Sequence, residues 1–251
     1  MTLNNDRRIA RQIRLAVVAL LVSTFAWGQQ SRTASELIQQ FKSTPIFWEQ
    51  FEIAEKIVAL HDRSVLPRIE SWLGDDDRHL RGNVAFVFAS LGDDRGFQVI
   101  VDILRDTKGD RPPGQGNATA GWSLRGQIRT DRYYAAHLLG DLRDPRAVPI
   151  LVPLLKDPDV NYIVPWSLGE IGDTPAIPPL IETLDDENPD MRALAIYALE
   201  KLKAKEALPR IRAMVNDNER IHFDGLGTVA EAARAAIVEL ARSRQQVDST
   251  K

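Results

Sequence analysis

Apolar and polar positions follow helical spacing along most of this chain, and from residue 139 the pattern repeats. Leu139-Gly140-Asp141-Leu142, Ala147-Val148-Pro149 and Leu155 return as Leu168-Gly169-Glu170-Ile171, Ala176-Ile177-Pro178 and Leu184, a shift of 29 residues throughout. Leu199, Ala207, Leu208, Pro209 and Ile211 then repeat Leu168, Ala176, Ile177, Pro178 and Leu180 at a shift of 31. Val65-Leu66-Pro67-Arg68-Ile69 matches Ala207-Leu208-Pro209-Arg210-Ile211, which carries the repeat back to the sixties. A period near 30 with helical spacing marks a stacked array of helix pairs.

Each unit divides into a first and a second helix. The spacing predicts first helices near 64–73, 95–106, 145–156, 174–185 and 205–215, and second helices near 78–91, 130–142, 158–171, 189–202 and 227–243. Asp144-Pro145, Asp157-Pro158 and Asn188-Pro189 each set a capping side chain before a proline at the first helical position. The second helices close on Leu91-Gly92, Leu139-Gly140 and Leu168-Gly169, where glycine allows the left-handed turn that ends a helix. Pro165 falls inside the third of them and predicts a kink beside Trp166. Upstream, Leu37, Ile38 and Phe41 share one face, and Phe47, Phe51, Ala54 and Val58 form an apolar stripe that reads as an opening cap. Val229, Ala233, Ile237 and Leu240 close the far end, and residues 244–251 read as a disordered tail.

The run from Gly140-Asp141 to Ala147-Val148-Pro149, the Asp157-Pro158 turn, and second helices ending Ser167-Leu168-Gly169 or Ala198-Leu199-Glu200 resemble the HEAT repeat. The likeness is to the short kind found in phycobilin lyase subunits, and it covers residues 46–242. It implies an all-α fold: an α-solenoid, a right-handed superhelix of about five HEAT-like helix pairs behind an N-terminal helical cap. It also implies that the second helices line the concave surface, and that Arg132 and Arg192 bridge acids of adjacent turns, such as Asp159 or Asp190. Scaffolds, lyase subunits and a DNA glycosylase family share this repeat, so the fold does not choose among functions.

The first residues follow a different pattern. Arg7, Arg8, Arg11 and Arg14 precede the apolar run 15–25, and Ala26-Trp27-Gly28 offers small residues for a peptidase, the layout of a secretory signal. The run is shorter than the ~20 residues a spanning helix needs. The expected divisions are a signal peptide over 1–28, cleaved after Gly28; a helical lead-in over 29–45; the solenoid over 46–243; and the tail. Cleavage leaves a periplasmic or secreted chain with no stable transmembrane span. It removes four arginines and Asp6, so the formal charge falls from -3 to -6, which argues against nucleic acid as a partner. The absence of cysteine excludes disulfides, thiolate metal sites and a thiol nucleophile.

Two stretches depart from the repeat. Residues 107–129, with Trp122 and Arg125, and residues 216–227 are longer than the ~4 to 6 residues of ordinary connections, and both fall at the same kind of turn. They would arm one edge of the stack. Counting back from Leu139, Leu168 and Leu199, the positions two before are His137, Trp166 and Tyr197, and those six before include Tyr133 and Tyr162. Residues four apart share a helix face, so these aromatics align across three repeats.

The four histidines show no zinc-site spacing, and no phosphate loop or nucleophile elbow is present. No cofactor and no metal are expected. The leading expectation is therefore a non-catalytic scaffold outside the cytoplasm, holding a protein or peptide through Tyr133, His137, Tyr162, Trp166, Tyr197, Trp122 and Arg125. The alternatives are a lyase-like enzyme subunit binding a planar chromophore and, behind it, a HEAT-type DNA-binding protein.

Overall fold

The structure is a computed structural model, and it describes residues 33–108, 124–222 and 227–242. The leader, the tail and Trp122 lie outside those residues. Twelve α-helices occur among the described residues, with no strand and one isolated bridge, Arg220 to Thr228. They are α1 (33–43), α2 (Phe47–Ala59), α3 (Leu66–Ile69), α4 (Arg78–Ser90), α5 (Asp94–Arg105), α6 (Leu124–Leu142), α7 (Val148–Leu151), α8 (Val164–Ile171), α9 (Ile177–Thr183), α10 (Pro189–Lys201), α11 (Leu208–Ala213) and α12 (Val229–Arg242). The chain is an α-solenoid. From α2 onward the even-numbered helices pack each on the next as one layer, and each odd-numbered helix packs on its even partner. The expected cap is itself a pair: Phe41 of α1 is fully buried and stacks on Trp72, while Gln50 of α2 donates to its carbonyl.

Four of the odd helices, α3, α7, α9 and α11, open on a proline. Pro67, Pro149, Pro178 and Pro209 sit in the first turn, where a missing N–H breaks nothing, and a 3-10 turn precedes each of these helices. Capping follows the sequence closely. Asp77, Asp93, Asp144 and Asn188 accept from backbone N–H groups at the starts of their helical segments. Pro165 does not kink a long helix. Residues 158–163 run as successive turns, α8 begins only at Val164, and the proline falls in its first turn.

The glycines divide in a way the sequence did not predict. Gly92 and Gly172 are left-handed, with φ of 80° and 77°. Gly140 and Gly169 lie inside α6 and α8 and serve close packing instead. A Cβ at Gly140 would meet Ser167 Cα at 2.8 Å and Trp166 Cζ3 at 2.9 Å. His61, Arg143 and Lys203 take the left-handed turn without glycine, at φ of 52°, 52° and 54°. Every joint from an even helix to the next pair thus carries one left-handed residue.

Arginines tie successive units together. Arg132 donates to the Leu104 carbonyl at 2.8 Å and to Asp157 at 2.7 Å; Arg192 donates to Asp217 at 2.9 Å and to the carbonyls of Asp186 and Glu187. The bridging is as the resemblance implied, but the acids are Asp157 and Asp217, not Asp159 and Asp190. Each guanidinium reaches the turn 25 residues ahead.

Candidate functional site

The even layer keeps its apolar side against the odd helices and turns a mixed aromatic face outward. Three seams build that face. Phe47 of α2 stacks on His79 of α4 with ring centroids 4.4 Å apart and meets Tyr134 of α6 edge-on at 4.9 Å. Tyr134 lies 6.3 Å from His137, and His137 stacks on Trp166 of α8 at 4.4 Å with planes 21° apart. Phe51 closes on His137 edge-on from α2. The bareness of Gly140 lets the Trp166 ring lie this close to α6. Around the array Tyr133, Tyr162 and Tyr197 are each 41% exposed, and Trp48 is 58% exposed. Partly covered rings beside open ones make an aromatic surface that also carries phenol hydroxyls.

Polar groups anchor this platform from below. The Tyr134 hydroxyl donates to Asn83 Oδ1, and Asn83 Nδ2 donates to Gln50 Oε1 at 2.9 Å and to the Phe47 carbonyl at 3.0 Å. Burial, reinforced by the charge of Asp141, holds the Tyr134 phenol well above its usual range. Asp131 is buried beside His79 Nε2 at 3.7 Å and Arg78 Nε at 3.8 Å. Burial pushes its carboxyl up to about 6, against the opposing charges of His79 and Arg78, and lowers the pKa of the His79 imidazole. His137 Nδ1 lies 2.9 Å from Asp141 Oδ2, one helical turn on, although the angle falls short of a hydrogen bond.

The aromatic residues named from sequence come together unevenly. His137 and Trp166 are in contact and half-buried. Tyr133 is exposed one turn before His137 on α6, and Tyr162 lies in the turn before α8 with its hydroxyl accepting from Asn188 at 2.7 Å. Tyr197 is exposed on α10. Arg125 is not in a loop; it opens α6, 86% exposed, 4.0 Å from Asp159. Sequence reasoning missed Phe47, Phe51, His79, Tyr134 and Asn83. The signal for Tyr134 was its place three residues before His137, which puts it on the same helix flank. Among the described residues no group of three or more His, Asp or Glu side chains is placed to hold a metal.

A sequence profile of HEAT repeats matches residues 124–186 and 157–221. The chain is 37% identical over 95 residues to the phycocyanobilin lyase subunit alpha of Picosynechococcus sp., covering 34% of this chain and 35% of that one. It is 29% identical over 153 residues to the bilin biosynthesis protein PecE of Mastigocladus laminosus, covering 59% and 52%. It therefore spans about a third to a half of the length of these relatives. Among solved structures, the complex of CpcE and CpcF of phycocyanin lyase from Nostoc sp. aligns with a TM-score of 0.46 at 24% identity, over 68% of this chain and 63% of that one.

The expectations of a non-catalytic scaffold and of a chain that is not an enzyme are overturned here, because these relatives are named as a lyase subunit and a bilin biosynthesis protein. Residues 124–221 thus carry HEAT repeats within the helix-pair stack, and in sequence the chain is similar to proteins of the phycobilin-lyase type.

Proposed function

We propose that this chain is a subunit of a lyase-like enzyme that handles a linear tetrapyrrole, and that the chromophore lies against the aromatic face of the even layer. The observation that carries this is the His137–Trp166 stack, half-open and flanked by exposed Tyr133, Tyr162 and Tyr197. A conjugated, nearly flat ligand gains by lying on such rings, and the phenol tips offer hydrogen bonds to its lactam ends. Arg125 and Arg129, two turns and one turn before Tyr133 on α6, supply guanidinium groups for its propionates. As a subunit the chain works with a second protein, which receives the chromophore or completes the site.

The test uses the chain from residue 29 with phycocyanobilin at protein excess. A saturable change in the visible spectrum that Trp166→Ala removes is expected; the spectrum of free bilin throughout would sink the proposal. The leader supports a place outside the cytoplasm with cleavage after Gly28. None of the described helices is long and apolar enough to cross a membrane. Envelope fractionation with N-terminal sequencing should find Gln29 first, whereas an intact leader in the cytosol overturns export.

A further inference from the structure

We propose that His137 is the residue that exchanges a proton with the bound tetrapyrrole, with Asp141 positioning its ring. This role rests on the tetrapyrrole reading above. It follows from how the four histidines are held. His61 is an exposed joint residue, His222 is 73% exposed beside Asp190, and His79 is covered by Phe47 and Tyr134. His137 alone combines a fixed ring, a carboxylate partner and an open side.

The ring is gripped by Trp166 at 4.4 Å, with Phe51 edge-on at 6.4 Å and Tyr134 at 6.3 Å, so rotation about its side-chain bonds is restricted. Nδ1 is fully buried against Asp141 and the side chain keeps 34% of its surface exposed, so exchange with a ligand falls to the other ring nitrogen, Nε2. The carboxylate 2.9 Å from Nδ1 faces that nitrogen and leaves Nε2 as the one for a ligand. Other charges around this spot come from neighbouring helices. Glu55 of α2 acts with Asp141 on the Tyr134 phenol, and Glu170 of α8 is clasped between Arg143 at 3.3 Å and Lys201 at 2.5 Å.

The step is a single proton transfer. The Nε2–H bond of the imidazolium breaks and an N–H bond forms on the imine-type pyrrole nitrogen. The positive charge passes to the conjugated chain, and a neutral imidazole stays with its Nδ1–H on the side of Asp141. A protonated tetrapyrrole absorbs further to the red and is more electrophilic, which is what a lyase needs of it.

The experiment compares phycocyanobilin bound to the wild type, His137→Gln, Asp141→Asn and Asp141→Glu at neutral pH, reading affinity and the long-wavelength band separately. Expected are affinities within about threefold for Asp141→Asn and Asp141→Glu, weaker binding in His137→Gln because it removes one ring of the stack, a red-shifted band in the wild type, its loss in His137→Gln and Asp141→Asn, and its return in Asp141→Glu. Binding with an unshifted spectrum in the wild type, or a shift that survives both His137→Gln and Asp141→Asn, overturns the role of His137 and leaves the tetrapyrrole reading standing. If His137→Gln binds nothing, Asp141→Asn decides, since it keeps the ring and its stack. Failure of the wild type to bind removes both proposals.

Discussion

At the α6–α8 seam Gly140 brings Ser167 Cα within 2.8 Å of where a side chain would start, whereas at the α8–α10 seam Gly169, 29 residues on, leaves 3.3 Å to Ala198 Cα. The first seam seats His137 against Trp166; at the second the equivalent residue, Tyr197, stands 41% exposed. Seven residues before each helix's Leu marker the chain carries Arg132, Asn161 and Arg192. The arginines are buried and paired, while Asn161 Oδ1 is buried without a partner. Identical repeat letters therefore fix where backbones meet but not what the meeting is used for. The tight seam holds the candidate chemistry and the looser one frames it.

The largest expected contrast is at the arginine position. Arg132→Ala strands the Leu104 carbonyl and one side of Asp157, at a cost of about 3 kcal/mol in urea unfolding, whereas Asn161→Ala should cost less than about 1 kcal/mol. Equal losses would mean that the two positions are not used differently. Gly140→Ala forces α6 and α8 apart and should cost about 2 kcal/mol. Gly169→Ala should be close to neutral, because its 3.3 Å contact can relax and alanine favours the helix by up to about 1 kcal/mol. A calorimetric scan of both variants would erase the seam distinction if their midpoints fell together.

The α4–α6 seam adds a pH-dependent term. Asp131 has its folded carboxyl pushed up to about 6 from 3.8, so between those values the folded chain holds a proton that the unfolded chain has released. Its contribution is most favourable below that window and is lost as pH rises through it. His79, with its pKa lowered by burial, works in the opposite sense, losing stability as pH falls through its own range. Asp131→Asn should therefore gain about 1 kcal/mol on wild type at pH 7 and almost nothing at pH 4. A difference that does not vary with pH would dismiss the buried carboxylate as its cause. The smallest effect is expected at Tyr197, where alanine should change stability by less than about 0.5 kcal/mol and show itself only in bilin affinity.

The frame was legible because its cues are local. Asp144 and Asn188 announce their own caps, and the Leu-Pro, Val-Pro and Ile-Pro pairs mark the starts of α3, α7, α9 and α11. Much of the site was not, because it depends on residues far apart in sequence. Phe47 meets Tyr134 across 87 positions, and α2 lies outside the region where the repeat is plain. The glycines misled for a related reason: a glycine near a helix end reads as a turn, and only the neighbouring helix reveals that Gly140 is there to be thin. Arg132 and Arg192 were recognised as bridges, but their acids depend on how far each guanidinium reaches into the next unit.

His61, Gly92, Arg143, Gly172 and Lys203 give five successive joints the same left-handed bend. A stack with interchangeable joints is modular in a strict sense. A pair of helices removed or duplicated beyond α6 meets its new neighbours through the same kind of joint, whereas α2, α4 and α6 form one block, because Phe47 and Phe51 reach past α4 to Tyr134 and His137. Length becomes an adjustable quantity, counted in pairs, and the aromatic platform can be shortened or extended by one ring position at a time while the rest of the frame stays as it is.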